Sequence, residues 1–342
     1  MSSRLRSLAR RNALLVLVTL LCAATAFAAP AAWTTKGVGT LTVQQSAYSA
    51  NWSGGDRGSW TWVARFDGEA ERQWTPSLNL AHQLLLSYGQ TAKQEIDPAN
   101  AARRVWAPPS KTNDQIVFET VARLTLREVV DPYASLRAES QFLDQSQPNA
   151  TLTVNPVRLK LSAGVSRTFV DREDRELAAR VGLGGRLTTG RNFVELPPGQ
   201  RTARYTNRDL GLEGVVTAQT SVFDKRLAYK GRLSLFQPLV YSQTDLLERY
   251  DALVGAVDPS HRPIADDWRT INVDVENLFT GRITSALAVE LAARLVYIKF
   301  DTAASLDTTQ PLAVLVPQVE RNVRRSGQYR QTLALALSYR LF

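Results

Sequence analysis

The feature that most constrains this chain is a two-residue rhythm. Past residue 37, about a dozen segments of roughly ten residues alternate apolar side chains with small, polar or charged ones. Gly37–Tyr48 is the first and weakest. Ser59–Ala70 sets Trp60, Trp62, Ala64 and Phe66 against Arg65, Asp67 and Glu69. Ser77–Tyr88 follows, then Asp114–Leu126, with Ile116, Phe118, Ala122 and Leu124 on one side. Ala134–Phe142, Val157–Phe169, the glycine-rich Leu177–Leu187, Leu210–Gln219 and Leu227–Phe236 continue the pattern. Trp268–Phe279, Ile283–Phe300 and Tyr329–Phe342 complete it. In the last, Leu333, Leu335, Leu337, Tyr339 and Leu341 share one phase. The stretch SALAVELAARLVYIKF has helical propensities, and Glu290 and Arg294 stand at a helical ion-pair spacing. Yet Leu287, Val289, Leu291, Ala293, Leu295 and Tyr297 hold period two, so a strand is expected there.

The connections alternate in length as well. Short links are expected at Asp67–Thr75, Arg127–Tyr133, Val170–Glu176, Thr220–Arg226 and Thr280–Arg282. Longer ones are expected at Gly89–Asn113, Thr188–Asp209, Gln237–Asp267 and Asp301–Gln328, with a shorter one at Leu143–Pro156. Short turns at one end and long loops at the other characterise an up-and-down barrel in a membrane; a soluble sandwich has no reason to alternate so.

Beyond Ala28 no run is apolar for the ~20 residues a spanning helix needs, and mean hydropathy is −0.19. Lipid leaves no water to pair an exposed backbone group, so only helices and closed barrels cross it. With helices excluded, the expectation is an all-β, closed antiparallel up-and-down transmembrane barrel. It would have about 12 strands, short periplasmic turns and long outer loops. In such a barrel the last strand pairs with the first and no edge survives.

The polar phase carries the charges expected to line the lumen. These are Arg65; Glu119 and Arg123; Arg137 and Glu139; Arg158 and Lys160; Arg180 and Arg186; Lys230 and Arg232; Asp274 and Glu276; Glu290 and Arg294; and Arg340. Basic groups outnumber acidic ones. A dry sandwich core would not hold so many charges, whereas a wet lumen does so at little cost. The aromatics Trp60, Trp62, Tyr88, Tyr133, Phe142, Phe236, Trp268, Tyr297 and Tyr339 fall near segment ends, where interfacial girdles belong.

The front of the chain reads as an export signal, residues 1–28: Arg4, Arg6, Arg10 and Arg11, then an apolar run, then Ala26-Phe27-Ala28 as the cleavage site. The barrel would occupy 29–342. Cys22 raises a lipoprotein alternative that Leu21 fits poorly, lipid attachment favouring a small residue there. Cleavage would remove four arginines from a formal charge of +9 and leave +5, with no cysteine. That is not the footprint of a nucleic-acid binder.

SAYSANWSGGDRGSW (Ser46–Trp60) and INVDVENLFTGRITSALAVELAARLVYIKFD (Ile271–Asp301) resemble a family of exported bacterial proteins of unknown function. They are regarded as outer-membrane barrels and seen mainly in Bacteroidota-like bacteria. The matching residues are Asn51, Trp52, Gly54 and Gly55, an Asn-Trp and Gly-Gly joining the first two strands, and the Glu276-Asn277 pair before a tight turn. The resemblance implies an architecture, and no substrate or catalytic residue. An aromatic final strand is also what the barrel-assembly machinery recognises in such proteins, although Phe342 stands one step out of phase with Leu341.

Chemistry is sparse. His82 falls on the apolar phase with Leu80 and Leu84, and Ser87 lies on the opposite face. His261 stands in DPSHRP, near Asp266 and Asp267. A hydrolase would need a positioned Ser–His pair or clustered carboxylates beside a histidine. No Cys/His metal spacing and no phosphate-cradling loop is present, and no cofactor is expected. The expected partners are membrane lipid and lipopolysaccharide, the assembly machinery and a small polar solute. A narrow channel for polar or anionic solutes is therefore the first functional expectation. A plugged structural or adhesive barrel that binds through its long loops is the second, and an outer-membrane hydrolase the third.

Overall fold

The computed structural model describes residues 32–48, 57–126, 128–147, 150–193, 201–303 and 311–341. Residues 1–28, and with them the expected export signal, lie outside this set, as do Asn51, Trp52, Gly54 and Gly55.

Twelve strands close into one antiparallel, up-and-down barrel. The first stave is β1 (Thr34–Ser46), followed by β2 (Ser59–Thr75) and β3 (Leu78–Asp97). The short β4 (Asn100–Trp106) folds back on the end of β3. The wall resumes with β5 (Ser110–Leu124) and β6 (Asp131–Ser140). A side hairpin, β7 (Leu143–Gln147) and β8 (Ala150–Thr153), interrupts it. Then come β9 (Val157–Arg172), β10 (Arg175–Phe193), β11 (Thr202–Val222), β12 (Leu227–Tyr241), β13 (Asn272–Arg282), β14 (Leu287–Tyr297) and β15 (Gln328–Arg340). Closure is made by β15 against β1, from Val38 opposite Arg340 to Thr42 opposite Ala336. Every stave thereby has two hydrogen-bonded neighbours.

The strands coincide with the twelve rhythmic segments, but most run further. β10 and β11 pair without a break from Arg175–Thr220 to Phe193–Thr202. β2 and β3 pair from Thr75–Leu78 to Ser59–Lys93. Much of what the turn-rich composition assigned to loops is thus ladder extending past the ~10 residues that lipid requires. The alternation of the connections survives. β2 turns into β3 through Pro76-Ser77, β9 into β10 through Glu173-Asp174, and β11 into β12 within four residues. The excursions carrying β4, the β7–β8 hairpin and two helices leave from the other end. SALAVELAARLVYIKF is strand over Leu287–Tyr297, since a neighbour on each side supplies the ladder that overrides its helical propensity.

Alternation sorts the side chains radially. On β15, Leu333, Leu335 and Leu337 are 68%, 54% and 56% exposed, whereas Ala336, one step away, is wholly buried. Leu161, Leu183, Leu212 and Phe279 continue the outer band. Leaving such a side chain in water rather than in an apolar medium costs about 1.5–3 kcal/mol, so a belt of them fits hydrocarbon and not water. Among the described residues no helix is long and apolar enough to cross a membrane; the strands do so.

The principal hydrophobic core of buried residues lies off the barrel wall. α1 (Thr244–Gly255), a single 3-10 turn at Asp267–Arg269 and α2 (Leu312–Glu320) belong to the β12–β13 and β14–β15 excursions. Their Leu247, Tyr250, Val254, Trp268, Leu315 and Val319 pack with Tyr241 and Phe300. Trp268, expected to open a strand and join a girdle, is instead 3% exposed in this core, and β13 starts at Asn272. Phe300, expected at a strand end, is 1% exposed there too. Thr302 Oγ1 donates to Asp209 on the barrel wall at 3.0 Å, Tyr241 Oη donates to the Thr302 carbonyl at 3.4 Å, and Lys299 meets Asp267 at 2.6 Å. The two excursions thus form one folded cap at the long-loop end.

The radial sorting predicts that Leu335→Arg lowers barrel stability by about 2–4 kcal/mol, whereas Thr332→Arg, on the inward phase of the same strand, costs far less. Urea unfolding in lipid vesicles, with heat-modifiable gel migration as the folding readout, measures both.

Candidate functional site

The inward phase holds the charges, and they are arranged rather than scattered. Glu119, inward on β5 and 3% exposed, is the hub. Arg137 on β6 donates to it at 2.9 Å, Arg180 on β10 at 2.5 Å, and Arg232 on β12 at 2.8 and 3.2 Å. β5 and β12 stand five places apart on a ring of twelve, so the Arg232–Glu119 pair crosses the lumen. A second crossing lies one inward step along β12, where Lys230 meets Glu69 of β2 at 2.9 Å. Lys36 joins Glu69 at 3.5 Å. Glu139 bridges Arg137 at 2.6 Å and Lys160 at 3.0 Å. Arg294 clasps Asp274 at 2.6 Å and reaches Glu276 at 3.3 Å.

Glycines explain how the wall can approach so closely. Gly164 on β9 faces Gly182 on β10. A Cβ on Gly164 would stand 2.1 Å from the Val181 carbonyl oxygen, and one on Gly182 would stand 2.2 Å from that of Ala163. Either addition forces the two strands apart. Gly184 pairs with Gly211, and the ring of Phe236 from β12 fills the hollow they leave. The Arg186 guanidinium lies 3.9 Å over that ring and pairs with Asp209. Phe236 and Tyr133, both expected in girdles, therefore face inward. Tyr133 is 5% exposed, with its hydroxyl beside Ser162 and Arg180 over its ring. Their inward phase on β12 and β6 overrides the strand-end position on which the girdle expectation rested.

Around these glycines the β9–β10–β11 wall is thus filled towards the long-loop end, and the space left, nearer the short turns, is bordered by every stave. It is a cavity of about 810 Å3 walled by Thr40, Thr61, Asn79, Thr112, Thr332 and their neighbours, with the Glu119 cluster at its edge. Arg65, Glu119, Arg123, Arg137, Arg180, Lys230, Arg232, Glu276, Glu290 and Arg294 all line it. Glu139, Lys160 and Asp274 are held just behind through ion pairs to that lining or to one another. Arg186 is tied into the filled side and the cap, its partner Asp209 also accepting from Thr302. Arg158 stands on the inward phase opposite Thr188, and Arg340 opposite Val38 on the closing pair.

Charge varies along the axis. Arg137, Lys160, Arg180 and Arg232 gather around Glu119 and Glu139, and Glu276, opposite Arg232 on β13, pairs with Arg294, so both signs interleave here. Arg180 Nε is buried there without a hydrogen-bond partner. Nearer the short turns Glu69, Glu71 and Glu176 line the cavity with Arg123, and Glu71 accepts from Asn79 at 2.9 Å.

The histidines are elsewhere. His82 points outward, stacked between Trp33 at 5.4 Å and Phe118 at 6.2 Å. Ser87 points inward and accepts from Asn113 at 2.7 Å, so no Ser–His pair forms. His261 Nε2 lies 2.8 Å from Asp251, whose carboxylate also accepts from the backbone N–H groups of Ile264 and Ala265. Asp266 and Asp267 turn instead to Arg269 and Lys299. His261 therefore fastens the cap's loop.

A model of a family described as a protein of unknown function (DUF3078) matches residues 43–145, β1 to the β6–β9 excursion. That stretch contains Asn51-Trp52 and Gly54-Gly55 but not Ile271–Asp301. No curated protein matches the chain. The chain is similar to several solved barrels. An outer-membrane channel of Pseudomonas putida F1 is 11% identical, over 93% of this chain and 98% of that one, with a TM-score of 0.33. The translocator domain of the autotransporter NalP from Neisseria meningitidis is 7% identical, over 98% and 96%, with a TM-score of 0.38. The NanC porin is 9% identical, over 90% and 100%, with a TM-score of 0.30. These overlaps are too loose to transfer a pore, a substrate or a strand correspondence.

Three arginines converging on one carboxylate make Glu119 the least replaceable member of the cluster. Glu119→Gln leaves three clustered cations short of their counter-ion and is expected to destabilise the barrel by about 3–5 kcal/mol. Arg232→Met, which leaves Glu119 two partners, is expected to cost less. Urea midpoints of the two variants in vesicles test the order. The cluster borders a polar cavity inside a closed twelve-stranded barrel, and that is what a functional reading has to explain.

Proposed function

We propose that this protein is an outer-membrane channel for small polar solutes with a preference for anions, exported under the signal of residues 1–28. The observation that carries the reading is the convergence of three arginines, Arg137, Arg180 and Arg232, on Glu119 beside a polar cavity of the lumen. Rings and clusters of cationic side chains select anions because they replace part of the lost hydration. The long excursions would then face outward, and the short turns the periplasm. The carboxylates near the short turns make the passage electrically asymmetric, which favours a current that differs with the sign of the voltage.

A plugged barrel is the second reading, favoured by the two ion pairs that cross the lumen and by the folded cap at the long-loop end. Its binding surface would be the cap and the loops.

Planar-bilayer recording separates the two. Protein with heat-modifiable migration should give small, rectifying currents, with a reversal potential in a KCl gradient on the chloride side. Arg232→Glu should move that potential towards potassium. Silence from correctly folded protein overturns the channel and leaves the plugged reading.

A further inference from the structure

The outer surface carries a cation held between two indoles that the lumen does not explain. β2 presents Phe66, Ala70, Arg72 and Trp74 outward, and β3 presents Leu80, His82 and Leu84. Arg72 lies over two indoles, its guanidinium carbon 4.6 Å from the Trp74 ring and 5.6 Å from that of Trp33. Trp33 in turn leans on His82 at a tilt of 37°, and His82 stacks on Phe118 of β5. The patch is thus a continuous box in which Trp33 separates a guanidinium from an imidazole. Two of its polar atoms, Arg72 Nε and His82 Nδ1, are covered and have no hydrogen-bond partner. The outward residues of β1, β2, β3 and β5 around it, Gly37, Gly68, Ala70, Thr120 and Leu124 among them, carry no charge. Among the described residues Arg72 therefore has no counter-ion on this face.

Position narrows what supplies one. Arg72 is three residues from the end of β2 at the short-turn end, and Thr34, next to Trp33, starts β1 opposite Glu71. That is the rim of the apolar band, where aromatic residues meet the headgroup layer. Leu80 stands level with Arg72, and Leu84 and Phe118, further along the strands, continue the apolar wall. A guanidinium held flat by two rings, beside an apolar track running towards the bilayer centre, matches a phosphate with two attached acyl chains. A free anion would use the first feature and gain nothing from the second.

We infer that Trp33, Arg72, Trp74 and His82 form a specific binding site for the phosphate of a diacyl phospholipid in the leaflet at the short-turn end of the barrel. The inference rests on the membrane reading, not on conduction. Arg72 binds the phosphate through its terminal nitrogens, the tryptophans hold the guanidinium flat, and His82 fixes Trp33.

Native mass spectrometry of the full chain released from detergent tests this, with phosphatidylglycerol as the probe. Wild-type protein should keep a lipid adduct, and Arg72→Gln should weaken it about tenfold. Arg167→Gln removes another outward arginine, which lies over the single ring of Phe169, and should leave the adduct unchanged. Inorganic phosphate at millimolar concentration should not displace the lipid. Equal losses in the two variants, an unaffected Arg72→Gln adduct, or displacement by phosphate overturns the site. Heat-modifiable migration is read on the same samples, so a failed barrel is told apart from a failed site.

Discussion

The pairing of β15 with β1 is the contact on which the rest depends. Any open sheet of this length would leave two rows of backbone groups unpaired, at several kcal/mol each in hydrocarbon. Closure removes both rows at once and turns the sheet inside out relative to a soluble protein: leucine belt outside, ionised groups within. The chain then needs neither a large apolar interior nor disulfides to be ordered. The buried apolar core that does exist, around Trp268, Phe300 and Leu315, belongs to the cap.

Within that ring the lumen is organised by β12. Its inward residues alternate in a single file, and Lys230, Arg232 and Phe236 make three different connections: to Glu69, to Glu119, and to the glycine hollow of β10 and β11. Two reach across and one reaches sideways. The glycines at 164, 182, 184 and 211 bring one wall in, and the remaining volume lies nearer the short turns, where threonines and asparagines join the charges in the lining. A barrel of twelve staves is wide enough for this asymmetry and narrow enough that a single arginine spans much of it.

Strand number, the phase of nearly every strand and the alternation of the connections were legible in the sequence, because each is a local pattern with one physical cause. Strand ends were not. Gly89, Thr188 and Gln237 looked like the starts of loops, yet the ladder continues past all three, since backbone pairing does not stop where lipid does. The aromatics at Tyr133, Phe236 and Trp268 sat at segment ends as girdle residues would, and phase or the cap core took them inward. Phase tells which charges share a face of a strand, but not which partners they meet. Which residue of β5 meets which of β12 depends on stagger around the whole ring. Glycines on the polar phase at 164, 182 and 184 were the one available sign of a collapsed wall. The Arg72 box went unnoticed because Trp33 precedes the first rhythmic segment and Arg72 follows the end assigned to the second.

The cap draws its core from the end of β12, from both arms of the β12–β13 excursion and from the chain after β14. None of these pieces has an interior of its own. In a chain that gains its staves one after another, the roof is therefore absent for most of assembly and appears together with the final seam. The cap's core at the long-loop end can be complete only when the tube beneath it is nearly whole.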